Sequence, residues 1–167
     1  MQQTLYYKTI NAPIGPLKLM ASDKGLCALM FDGGRNSKIY FDGAIEQSDT
    51  HPVLQKAEKQ LAEYFAGKRV DFDLPLDMRG TVFQLKAWRE LQKIPYGQTI
   101  SYAEQARRVG DVKKARAVGM ANGRNPIAII VPCHRVIGTS GALVGFGGGL
   151  KTKQYLLDIE CKKMAAA

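Results

Sequence analysis

Cys133 and His134 stand side by side in the stretch IIVPCHRVIG, at the end of an apolar run and directly before Arg135. A thiol and an imidazole so placed admit three readings: inert packing, metal ligation, or a nucleophile with its base. The chain has three cysteines (Cys27, Cys133, Cys161) and two histidines (His51, His134), none in CxxC or HxxxH spacing. A tetrahedral zinc site would have to gather ligands from remote positions, so no metal is expected. Packing is the plain reading of a free cysteine after Ala128–Val131. Pro132 counts against it, because its fixed φ and missing donor suit a rigid corner better than a strand interior. The apolar run also stops at the thiol, with cations beside it.

A nucleophile must be a thiolate, yet a thiol of pKa about 8.5 is only a few per cent ionised at neutral pH. A base within hydrogen-bond reach, directly or through one water, raises that fraction. Adjacent residues point apart as a rule, so a water is expected between Cys133 and His134. The other imidazole nitrogen then needs an orienting acceptor. Glu160, on a helix whose apolar positions turn it towards the core, fits that role; the competing reading is a surface acid near Lys162 and Lys163.

These residues need a frame. LYYKTINA, GPLKLMAS, GLCALMFD and KIYFDG read as short strands punctuated by the turns NAPIG and SDKG. In HPVLQKAEKQLAEYFAGK, Leu54, Ala57, Leu61, Tyr64 and Phe65 share one helical face, with Pro52 suited to the first turn and Gly67 to the stop. VDFDLPLDMRG reads as a strand running into a linker near Asp77–Gly80. Thr81 and Gln84 have capping-box spacing ahead of a helix carrying Phe83, Ala87, Trp88 and Leu91. Ser101 and Glu104 repeat that spacing, Ala103, Ala106 and Val109 face inward, and Asp111 caps a further helix bearing Ala115, Val118 and Gly119. Two short helices about a Gly-containing turn have the outline of a helix-turn-helix, and Lys113, Lys114, Arg116 and Arg124 supply cations for phosphates. GFGGGL has neither the strand–helix context of GxGxxG nor a following GK[ST], so it is not a nucleotide-phosphate loop. The last helix runs from Leu150 to about Glu160, with Tyr155, Leu156 and Ile159 expected inward.

The 167 residues suffice for one ordinary domain or two small ones, and 46% are hydrophobic, enough for a core. Residues 1–78 hold nine Lys/Arg and ten Asp/Glu, whereas residues 79–167 hold fifteen and five. The whole net charge of +9 therefore comes from the second half, as expected where one part binds a polyanion. No apolar run approaches the ~20 residues that span a bilayer, and the first residues lack a signal-peptide pattern. An odd, scattered set of cysteines argues against a disulfide framework and for a cytoplasmic location.

RGTVFQLKAWRELQKIPYGQTISYAEQA, KARAVGMANGRNPIAIIVPCHRVIG and GGLKTKQYLLDIE resemble the methylated-DNA–protein-cysteine methyltransferases, or O6-alkylguanine-DNA alkyltransferases, almost continuously from Arg79 to Glu160. The first half is similar only loosely, as the family's variable domain. The resemblance implies an α/β protein with two domains. Residues 1–78 would form a ribonuclease H-like α/β domain with a small antiparallel sheet, and residues 79–167 a mainly helical, winged helix-turn-helix-like domain that binds DNA and accepts the alkyl group. It implies a monomer acting on alkylated double-stranded DNA from the minor groove, with no cofactor and no membrane partner. The reaction implied is a single, irreversible transfer of an alkyl group from guanine O6, and from thymine O4, to the protein's own cysteine.

The resemblance assigns Cys133 as acceptor, His134 as base acting through water and Glu160 as its orienter. It gives Tyr102 a part in extruding the nucleotide, Arg116 the place of the extruded base, and Asn125 the bracing of the turn before the cysteine. Backbone groups at Cys133, Val136 and Gly147 would read the guanine edge. Arg135 belongs to the motif without an assigned role. Phe146 stands where the family most often has tyrosine, keeping an aromatic wall without its hydroxyl. The zinc ligands some members carry in the first domain have no counterpart, since Cys27 lacks partners. A non-catalytic helix-turn-helix DNA-binding or damage-sensing protein is the alternative, and a cysteine hydrolase a third reading that leaves the basic half unexplained.

Overall fold

The computed structural model describes residues 3–33 and 41–166. Its first part is a sheet backed by a helix. Strands β1 (Leu5–Ala12), β2 (Gly15–Ser22) and β3 (Gly25–Phe31) form two antiparallel hairpins, and β4 (Ile45–Gln47) lies on the far side of β1, giving the order β3-β2-β1-β4. The expected small antiparallel sheet is thus present with one addition: β4 pairs with β1 in parallel, so the sheet is mixed. A parallel neighbour needs a long return connection rather than a hairpin, and residues 32–44 supply its length. Of the strand expected in KIYFDG, residues 38–40 lie outside the described residues and 41–43 are not strand.

Helix α1 (Pro52–Phe65) covers one face of the sheet with Leu54, Ala57, Leu61 and Tyr64. Its start is built as its sequence suggests, with Pro52 in the first turn and the His51 ring accepting from the Val53 amide at 3.3 Å. Gly67 ends it in a left-handed conformation, φ 72°, that a residue with a Cβ disfavours.

The second part is helical. Helix α2 (Val82–Gln92) opens on a complete Thr81–Gln84 capping box. Helix α3 (Tyr102–Val109) is capped by Ser101, but the Glu104 carboxylate turns to Arg107 and Arg108 instead of closing a second box. Asp111 caps a 3-10 turn that leads into α4 (Ala115–Gly123), so α3 and α4 form the helix-turn-helix. Small residues let these helices approach closely: Ala87, Ala106, Val109, Val118 and Ala121 make a separate cluster. Gln105 and Asn122 exchange amide hydrogen bonds of 3.0 and 2.7 Å inside it, satisfying two buried polar groups at once. Strands β5 (Ile100–Ser101) and β6 (Val136–Ile137) pair in parallel, and α5 (Leu150–Ala166) closes the chain. None of the helices among the described residues is long and apolar enough to cross a membrane.

Strand β3 is the seam between the two parts. All seven of its residues are buried. Residues 74–77 do not form a ladder strand; the Leu26 amide donates to Pro75 O and the Asp77 amide to Leu26 O, both at 2.8 Å. Gly25 is required there, because a Cβ would sit 2.5 Å from Pro75 O. Further along, the Leu29 amide donates to Pro126 O at 2.8 Å and Leu29 bridges Ile127. The sheet therefore holds the chain just ahead of Cys133. One continuous core runs from Leu17, Leu29 and Tyr64 to Trp88, Ile127, Val131, Cys133 and Leu156.

Candidate active site

The residues between Ile127 and Pro132 are a turn. Ile129 has φ 72°, a left-handed value uncommon for a β-branched residue, so the surroundings must impose it. Asn125 does much of this. Its amide donates to Val131 O at 2.7 Å while its oxygen accepts from the Ile127 amide at 3.0 Å, and the side chain is buried. After Pro132, Cys133 begins a 3-10 turn over Cys133–Arg135, which sends successive side chains in different directions.

Cys133 is 8% exposed, and what it exposes forms part of the floor of a cleft of ≈ 690 Å³. Tyr102 of α3, Arg116 and Gly119 of α4, and Phe146 and Gly147 of the following loop stand around it. Burial pushes the Cys133 thiol above its ordinary pKa; the Asn125 side chain and the Lys153 ammonium act against that rise.

His134 points the other way, into the core, fully buried. Its Nε2 lies 2.5 Å from Glu160 Oε2. Burial depresses the imidazole pKa, with the Glu160 carboxylate opposing. Burial alone would raise the Glu160 carboxyl, but the hydrogen bond from His134 and the charge of Arg135 outweigh it and hold it well below the usual carboxylate range. An ionised carboxylate can only accept, so Nε2 carries the proton and Nδ1 keeps its lone pair. Among the described residues Nδ1 has no hydrogen-bond partner. An unprotonated nitrogen next in sequence to a thiol keeps the lone pair that a base acting through one intervening water would use.

Glu160 is held more thoroughly than the sequence suggests. Oε2 also accepts from the Tyr64 hydroxyl at 2.7 Å, and Oε1 accepts from Arg135 Nε at 2.7 Å and the Gly97 amide at 3.1 Å. Arg135 thereby acquires a place: its second nitrogen donates to Ile94 O at 2.8 Å, and the guanidinium pins the carboxylate. Helix α5 turns Lys153, Leu156 and Glu160 inward, while Tyr155, expected inward, is exposed. Lys153 is buried and donates to Val136 O at 2.7 Å, with Val144 O and Gly145 O at 3.3 and 3.4 Å. Tyr102 donates its hydroxyl to Val144 O at 2.8 Å, so the loop before Phe146 is tied from two sides.

The structure thus gathers Cys133, Tyr102, Arg116, Phe146 and Gly147 at the cleft, with His134, Glu160 and Asn125 behind it. Val136 is buried outside the cleft wall, its carbonyl engaged by Lys153. Sequence reasoning missed Lys153, Tyr64 and Gly97. Only Lys153 left a signal, being one helical face with Leu156 and Glu160. Among the described residues no group of three His, Cys, Asp or Glu side chains is placed to hold a metal ion.

Comparison with known proteins agrees with this geometry. The profile of the 6-O-methylguanine DNA methyltransferase ribonuclease-like domain matches residues 5–78, and that of the same family's DNA binding domain matches residues 82–162. This chain belongs to the 6-O-methylguanine DNA methyltransferase family. It is 48% identical over 162 residues to the methylated-DNA–protein-cysteine methyltransferase of Mycolicibacterium paratuberculosis, covering 96% of this chain and 95% of that one. A second relative of the same name, from Methanosarcina acetivorans, is 44% identical over 93% of this chain and 98% of its own. The crystal structure of Mycobacterium tuberculosis OGT in complex with DNA superposes with a TM-score of 0.86 at 46% identity, covering 95% of this chain and 94% of that one. In this methyltransferase family member the sheet-and-helix part and the helix-turn-helix part are the two domains, and the cleft lies on the second.

Proposed function

We propose that this protein repairs alkylated duplex DNA by moving the alkyl group of O6-alkylguanine, and of O4-alkylthymine, onto Sγ of Cys133. The observation that carries the reading is the cleft itself. Its floor is a cysteine backed by a buried His134–Glu160 pair, and its wall is the second helix of a helix-turn-helix. The thiol proton passes through a water to His134 Nδ1. The sulfur pair forms the S–C bond, the C–O6 bond breaks with its electrons going to the base, and the base takes up a proton. Cys133 ends as a thioether, so each molecule acts once and needs neither metal nor organic cofactor.

A stacked base offers its alkyl carbon no line of attack, so the nucleotide must leave the helix, at a cost of a few kcal/mol. Arg116, exposed on the cleft rim, fills the gap and offsets part of that cost. Tyr102 lines the path of the swung-out base, Phe146 and Gly147 wall it, and Asn125 keeps the cysteine turn rigid. Backbone groups at Cys133, Val136 and Gly147 read the guanine edge, with the Val136 carbonyl held by Lys153. The helix face at the rim presents Ala115, Gly119 and Gly123, and such low relief suits the minor groove, about 6 Å wide. We place the domain boundary after residue 78 and read the protein as a monomer of a reducing cytoplasm, in keeping with three free cysteines.

Incubation with a duplex carrying one O6-methylguanine tests the reading. One methyl mass is expected on the peptide holding Cys133, and none in Cys133→Ala, which still binds the duplex. A Cys133→Ala variant that removes the lesion as wild type does would leave only the non-catalytic DNA-binding reading.

A further inference from the structure

The loop over the cleft does not stand on its own domain alone. Phe31, the last residue of β3 in the first domain, packs edge-on against Phe146, ring centroids 5.5 Å apart at 61°. Two residues on, Gly148 lies flat against the same ring: a Cβ built there would meet three atoms of the Phe31 ring at 3.0 Å. No positive φ explains that glycine, so close approach does. Phe31 is only 6% exposed and belongs to the continuous core, so its ring has little freedom to give way. Phe146 and Gly147 line the same cleft as Cys133. The loop that walls the cleft therefore rests on a side chain that does not itself line the cleft.

We propose that Phe31 is a positioning residue that sets how large an alkyl group reaches Cys133, by seating Phe146 and Gly148. This rests on the alkyl-transfer reading above. Removing the ring lets the loop fall back and widens the cleft. Adding a methyl at Gly148 pushes the loop off the ring, towards the sulfur, and narrows it. The two changes have opposite signs and act through one contact, so the added methyl should have little effect once the ring is gone.

Single-turnover rates on duplexes carrying O6-methylguanine or O6-benzylguanine decide it. Phe31→Ala is expected to raise the benzyl-to-methyl rate ratio severalfold and Gly148→Ala to lower it severalfold, with the double variant behaving like Phe31→Ala. Phe31→Leu, which keeps much of the bulk, should shift the ratio less than Phe31→Ala. The proposal is overturned if Phe31→Ala slows both substrates equally, as a merely destabilised domain would. It is equally overturned if Gly148→Ala has the same effect with and without Phe31. Modification of Cys133 by iodoacetamide and by the bulkier N-benzylmaleimide reads the cleft without DNA. The same pattern of ratios is expected there, and it separates failure of the seat from failure of the repair reading, in which wild type leaves both lesions intact.

Discussion

At Cys133 two requirements oppose each other. The sulfur must be sheltered enough to meet a swung-out base in a dry site, yet shelter disfavours the thiolate, and burial indeed pushes its pKa up. A raised pKa means that the thiolate is scarcer at neutral pH than in a free thiol. The single-turnover rate should therefore climb with pH through neutrality and level off only above about 8.5. The Asn125 side chain and then the Lys153 ammonium, which favours the thiolate, are the counterweights. Lys153→Met should move the profile to still higher pH and lower the neutral-pH rate, read by quenched-flow transfer from O6-methylguanine duplex. Cys133, His134 and Glu160 were legible in the sequence because their chemistry is unusual for their positions: a thiol ending an apolar run, an imidazole beside it, an acid on a core-facing helix. Tyr64 was legible only as a core residue of its helix, since nothing within its own segment says that its hydroxyl meets a carboxylate ninety-six residues away.

Helices α1 and α5 meet at that carboxylate, and their docking is where pH acts on stability. Glu160 has a depressed pKa in the folded state, so its contribution is present above the unfolded value of about 4.3 and is lost as pH falls towards the folded one. His134 is also depressed, so the unfolded chain takes up its proton first as pH drops below about 6.5. Both shifts carry the same sign: stability declines from neutral pH into acid. Urea unfolding at successive pH values should show that decline, and Glu160→Gln should flatten its lower part. Glu160→Ala, which strands the buried Arg135 guanidinium, should cost about 3–5 kcal/mol at neutral pH. Tyr64→Phe removes one hydrogen bond to a charged group and should cost about 1.5–3 kcal/mol. Element types and caps were readable from periodicity and from residues such as Thr81, Pro52 and Gly67. The strand character expected of residues 70–77 was not realised, because that segment makes a single bridge to β3, and β-pairing between remote segments leaves no periodic trace.

Over the whole molecule, the basic excess of the second half was plain from composition, whereas its use depends on which cations are free. Arg107 and Arg108 both bind the Glu104 carboxylate, at 2.6 and 3.0 Å, and they hold its pKa at about 2. Lys113, Arg116 and Arg124 are exposed and have no ion pair among the described residues. A cation already neutralised by a carboxylate releases few counterions when DNA arrives; an unpaired one releases about one. Replacing Lys113 by alanine should therefore reduce the slope of log binding constant against log salt by about 0.9, and replacing Arg107 should change it much less. Arg116→Ala should do more than weaken binding. If it fills the gap left by the extruded nucleotide, its loss slows transfer from duplex by on the order of tenfold to a hundredfold. Transfer from free O6-benzylguanine, which needs no extrusion, should be unchanged. Equal slowing on both substrates would place Arg116 among the residues that shape the cleft, not those that open the duplex. The paired comparison separates the two roles because both reactions end in the same thioether at Cys133.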